Sequence, residues 1–93
     1  MAKKKFNIDQ FKLVQVHFED AMDYDTGWHD LKKVQAAKTE PVTSVGWIVH
    51  ETEKHIVLSA DFCSDGTTGR AIAIPKDWCQ KIIPLKEVMD GPN

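Results

Sequence analysis

Hydrophobic and polar residues alternate from Lys12 to Glu19, with Val14, Val16 and Phe18 on one side and Gln15, His17 and Glu19 on the other. That period of two predicts a first strand. Asp20-Ala-Met-Asp-Tyr-Asp-Thr-Gly27 breaks the alternation with acids and turn formers. Trp28, Leu31 and Val34 then recur every three residues, which predicts one or two turns of helix capped by Thr26 or Asp25. Pro41 ends that segment, and Val42 to His50 predicts a second strand with Val45, Trp47 and Val49 together on one face. On that spacing Trp47 belongs to the core, and Gly46 lets another backbone come close.

A polar turn, Glu51-Thr52-Glu53-Lys54, leads into His55 to Phe62. There Ile56, Leu58, Ala60 and Phe62 are expected inward and His55, Val57, Ser59 and Asp61 outward, so the two segments form a hairpin. Ser64-Asp65-Gly66 tolerates positive φ, and Arg70 to Ile74 returns as a short strand that alternates Arg70, Ile72 and Ile74 against Ala71 and Ala73. Pro75, which lacks an N–H, interrupts the ladder, and a 3-10 turn is expected over residues 75–78. Cys79 to Leu85 supplies a last strand through Ile82 and Ile83. Residues 1–10 and 86–93 are expected to be flexible tails on one domain spanning residues 11–85. With 93 residues there is room for one core only, and self-association would help so small a domain.

The stretch Gly69-Arg-Ala-Ile-Ala-Ile-Pro75-Lys-Asp-Trp78-Cys79-Gln-Lys-Ile82, a strand running into Pro-x-x-aromatic and a final apolar strand, resembles the end of an SH3 domain. Gly46-Trp47 and Ala21-Met-Asp-Tyr24 are similar to that family's Trp and aromatic positions. The short helix after the first strand, with Trp28 plugging one barrel end, is read from the residues and has no counterpart in that family. The resemblance implies a mainly β, five-stranded SH3-like barrel with a 3-10 turn before the last strand, as the order of strands also predicts. It also implies a groove for Pro-rich peptides made by Pro75, Trp78, Trp47 and Tyr24. Over the whole chain, Gly27-Trp28-His29-Asp30-Leu31 and Ser44-Val45-Gly46-Trp47-Ile48-Val49-His50-Glu51 resemble small proteins of phage and prophage genomes, which implies an origin and no activity.

Composition narrows the functional classes. Residues are 42% hydrophobic and 28% charged, as in a folded globular domain, and twelve basic against fourteen acidic side chains leave a formal charge of −2. That balance gives no general attraction to nucleic acid or anionic lipid. The Met1 to Asn7 start carries lysines with no apolar run behind it, so no secretion signal is read, and no window reaches the length of a membrane span. A cytoplasmic protein is expected, with Cys63 and Cys79 as two free thiols.

Chemical constellations are thin. Glu19, Asp20, Asp23, Asp25 and Asp30 crowd one segment without the ligand order of a calcium loop. His17, His29, His50 and His55 with Cys63 and Cys79 show no zinc-ligand spacing, although His50 and His55 flank one turn. Cys63-Ser64-Asp65 has no nucleophile motif around it, and Gly66-Thr-Thr-Gly69-Arg70 runs into a strand where a phosphate loop needs a helix. No catalytic residue, metal or cofactor is therefore assigned. Three tryptophans in so short a chain carry more weight, since each must fill the core or meet a partner.

The expectation is a non-enzymatic interaction module that binds a protein partner through an aromatic surface of Tyr24, Trp28, Pro75 and Trp78. The rival is an oligomeric small barrel that binds or sequesters a nucleotide or single-stranded nucleic acid through phosphate contacts from Arg70, Lys76 and Lys81. A hydrolase using Cys63, or the acidic loop with a metal, ranks third.

Overall fold

Five strands form one antiparallel sheet in a computed structural model that describes residues 6–86 and residue 88. They are β1 (Lys12–Asp20), β2 (Glu40–Glu51), β3 (His55–Phe62), β4 (Thr68–Pro75) and β5 (Cys79–Pro84). A short helix α1 (Leu31–Gln35) lies between β1 and β2, and a 3-10 turn (Lys76–Trp78) joins β4 to β5. The strand order is β4-β3-β2-β1-β5, so β5 returns across the whole chain to pair with β1. The sheet is not closed into a barrel; β4 and β5 are its two edges.

Register decides which residues meet in the core, because residues directly opposite each other in an antiparallel pair project to the same side. Val14, Val16 and Phe18 are buried as their alternation requires. Their partners on β2 are Gly46, Ser44 and Val42, which places the even positions of β2 on the core side. Val42, opposite Phe18, and Ile48, opposite Leu58, pack there against the buried cluster that Ile56 and Ile74 complete. The expected inward row of Val45, Trp47 and Val49 is therefore reversed, and Val45 stands 53% exposed. A glycine and a serine occupy core-side positions, so alternation pointed to the wrong face. A register shift between Ile48 and His50 then gives β2 one residue that breaks the ladder.

Trp47, expected in the core, instead meets Phe62 edge-on at 5.6 Å between ring centroids. Phe62 also stacks with Phe6 at 5.2 Å and with Phe11 at 6.0 Å. These four rings form a second apolar cluster, separate from the buried core. Phe11 opens the expected domain, whereas Phe6 lies in the segment expected to be a flexible tail; between them Ile8–Gln10 makes a 3-10 turn whose preceding Asn7 side chain accepts from the Asp9 N–H. The lysines of residues 3–5 and the Asp90 to Asn93 end lie outside the described residues.

The β3–β4 hairpin differs in detail from the simple alternation. Ser59, expected outward, is fully buried; its hydroxyl donates to the Gly69 carbonyl at 3.2 Å and meets the Thr68 hydroxyl. Arg70 takes a left-handed backbone conformation with φ 50°, which costs a non-glycine residue about 1–2 kcal/mol. Its guanidinium grips Asp61 through two bonds of 2.6 and 2.8 Å, and the bidentate geometry offsets part of that cost. At the turn itself Gly66 supplies φ 92°, and Asp65 accepts from both the N–H and the hydroxyl of Thr67.

Candidate functional site

The 3-10 turn Lys76–Trp78 exists because Pro75 ends β4 with φ −58° and the Cys79 N–H then closes back on the Lys76 carbonyl. Lys76 N–H donates to Lys54 O at 2.7 Å, so the turn is tied to the β2–β3 hairpin as well as to β5. This anchoring holds the Trp78 ring 39% exposed beside a concavity of about 280 Å³ lined by Glu19, Ala21, Thr39, Asp77 and Gln80. Glu19, at the end of β1, is positioned from two sides: Thr39 Oγ1 donates to one carboxylate oxygen at 3.1 Å and Gln80 Nε2 to the other at 3.2 Å. An aromatic face beside a braced carboxylate, with Asp77 adjacent, suits a cationic side chain.

Of the four aromatic-surface residues expected from sequence, only Trp78 lines this concavity. Pro75 is half-buried behind the turn, with its carbonyl accepting from Cys79 Sγ at 3.5 Å. Tyr24 and Trp28 belong to the excursion between β1 and β2. Tyr24 packs on His29 with ring centroids 5.0 Å apart and donates to the Lys33 carbonyl at 3.2 Å. Trp28, expected to plug a barrel end and open the helix, precedes α1 and is fully exposed. The helix starts after Asp30, which makes no side-chain cap bond, and neither Thr26 nor Asp25 caps it. Asp25 is committed elsewhere, accepting from Gly27 N–H at 2.9 Å and meeting His29 Nε2 at 3.0 Å. Trp47 does not join Trp78 either; it lines a different concavity with Ile8, Asp9, Phe11, Leu13 and Leu85.

The phosphate-binding trio is dispersed in the same way. Arg70 is paired with Asp61, and Lys76 Nζ lies 2.7 Å from Glu51 Oε2. Lys76 and Lys81 do share a concavity, but Glu51 lines it with them and Arg70 is absent from it. Hydrogen bonding to Lys76 holds the Glu51 carboxyl below its ordinary range, bonding to Arg70 does the same for Asp61, and the Thr67 N–H and hydroxyl do so for Asp65. Burial pushes the half-buried Cys79 thiol up, whereas Cys63 is exposed; both are free. His50 and His55 come within 6.3 Å of each other between ring centroids, with His55 Nδ1 bonded to Thr52 Oγ1 at 3.1 Å. Among the described residues no group of three or more metal-ligating side chains converges, and no helix is long and apolar enough to cross a membrane.

The lowered carboxyl values carry a pH dependence. A group whose folded value is depressed contributes stability above its unfolded value and loses it as pH falls through the folded one. Thermal stability is expected to hold above the ordinary carboxylate range and to fall as the pH drops below it and Glu51, Asp61 and Asp65 protonate. Asp61→Asn should flatten part of that fall, since it removes one of the three groups. Melting curves from pH 7 to pH 2.5 check this, and an unchanged acid slope in Asp61→Asn would show that the Arg70 pair contributes nothing.

Compared with known proteins, the chain matches no protein-family model, no curated protein and no solved structure.

Proposed function

We propose that the chain is a non-enzymatic interaction module that docks a protein segment bearing a lysine or arginine against Trp78. The observation that carries this reading is the concavity where Trp78 stands beside Glu19, held by Thr39 and Gln80, and Asp77. An aromatic ring held on a short anchored turn loses little freedom on binding, and such rings dominate the energetics of protein interfaces. The SH3-like reading of the fold goes with it. A 3-10 turn between β4 and β5, and β5 returning to pair with β1, support a relation to that barrel in which the sheet is more open.

The test is selection of peptides on the intact chain, followed by affinity measurement against Trp78→Ala. Enriched peptides are expected to carry Lys or Arg, and Trp78→Ala to weaken them about 30-fold, the cost of losing an interface anchor. Raised salt should weaken them further. Selected peptides that bind Trp78→Ala as tightly as the parent chain would remove the site.

A further inference from the structure

The excursion between β1 and β2 is the longest exposed stretch among the described residues. Across residues 21–41 only His29 is even partly covered. Trp28 is 103% exposed, Leu31 68%, and Met22 and Val34 are open as well. Helix α1 has five residues, buries none of them, and lacks a side-chain cap. A helix of that length does not sustain itself in water, since isolated helices need roughly 12–15 residues even with favourable sequences.

The segment is nonetheless internally braced. Asp25 turns back on Gly27 and His29, the His29 ring packs on Tyr24, and Tyr24 reaches over to the Lys33 carbonyl. The excursion therefore presents a formed surface rather than a loose strand. Its charges are sorted along the chain: Asp23, Asp25 and Asp30 lie in the first half, and Lys32, Lys33 and Lys38 in the second. Trp28, Leu31 and Val34 run through the middle.

We infer that this excursion is a two-fold self-association surface whose occupant is a second copy of the chain. A two-fold axis pairs a patch with itself, so whatever one copy offers at one end the other must complement at the opposite end. Asp23 and Asp30 of one copy, set against the lysines of the other in an antiparallel arrangement, meet that condition, with the apolar stripe covered between them and Asp25 left to its own contacts with Gly27 and His29. An anionic lipid surface would meet equal numbers of both signs and gain nothing net. The surface is distinct from the Trp78 concavity, and its partner need not displace anything bound there.

Sedimentation equilibrium over a range of protein concentrations tests the inference. The chain is expected to pass from its own mass to twice that mass. Trp28→Asp should weaken the dimer about 30-fold or more, the loss expected for a central aromatic anchor. At concentrations low enough that both chains are monomeric, its urea transition should match the parent's, because a fully exposed side chain leaves the sheet intact. Charge reversal is the stricter test. The pair Asp23→Lys with Asp30→Lys, and the pair Lys32→Glu with Lys33→Glu, should each give a monomer alone and a one-to-one heterodimer when mixed. Trp78→Ala should remain dimeric, so that failure of the peptide site and failure of this surface are told apart. A monomer at all concentrations overturns the inference, with or without binding to anionic vesicles. So does a dimer indifferent to Trp28→Asp, or failure of the reversed pairs to associate.

Discussion

Replacing Phe18 with alanine is expected to lower the unfolding free energy by about 3–5 kcal/mol, the usual cost of emptying a buried aromatic site. Phe18 is one of only six buried apolar residues among those described, together with Val14, Val16, Ile56, Leu58 and Ile74. A domain of this size holds roughly 5–14 kcal/mol in all, so a single truncation removes a large share of it. The site cannot collapse to compensate, because Phe18 lies opposite Val42 on one neighbour and Cys79 on the other, and all three are fixed by strand pairing. Urea unfolding followed by far-ultraviolet dichroism reads the effect. The control is Val45→Ala, which touches a β-branched residue of the kind that alternation alone assigns to the interior. Its exposure makes a change within about 0.5 kcal/mol the expected result. A loss at Val45 comparable with that at Phe18 would mean that β2 is turned the other way.

Gly46→Val is the second large effect, and it tests close approach of strands rather than apolar volume. A Cβ placed on Gly46 would lie 3.1 Å from the Ser59 carbonyl oxygen and 3.4 Å from Leu58 Cβ. The nearer atom is backbone of the adjacent strand, so it can withdraw only by parting β2 from β3. Overpacking of this kind costs about 1–3 kcal/mol, and the two further methyl groups of valine place the expected value at the upper end. Gly46→Ala should fall between valine and the parent chain. If Gly46→Val proved as stable as the parent in urea, the contact between β2 and β3 would have to be looser than the structure has it.

These two positions also mark where the strand pattern could be read from the chain and where it could not. All five strands and the 3-10 turn after Pro75 follow from local signals: Val14, Val16 and Phe18 in β1, Gly66 at the β3–β4 turn, and a proline that cannot continue a ladder. The helix between β1 and β2 is present at the expected one to two turns, but starts after Asp30 rather than at Trp28. The facing of β2 was not legible, because a glycine and a serine sit on the core side and a valine and tryptophan on the other. Only the register with β1 reveals this, and register is a property of two strands at once. The aromatic surface was legible at Trp78 alone. Glu19, Thr39 and Gln80 come from three separate parts of the chain, and their convergence depends on β5 lying beside β1. Trp28 was expected both at a barrel end and on the binding surface; it is exposed, away from the Trp78 concavity, because the excursion that carries it leaves the sheet.

The pairing of Val14 with Pro84 and of Phe18 with Cys79 has a consequence for how the protein comes into being. During synthesis β1 emerges first and can find β2 and β3 in turn, yet it stays open on one side until the residues of β5 have left the ribosome. Closing so long a separation makes contact order high, and chains dominated by such non-local pairings fold in milliseconds to seconds rather than microseconds. Throughout that interval the free side of β1, with Val14, Val16 and Phe18 in its middle, is a template for any other extended chain. The last strand made is thus the one that shields the first.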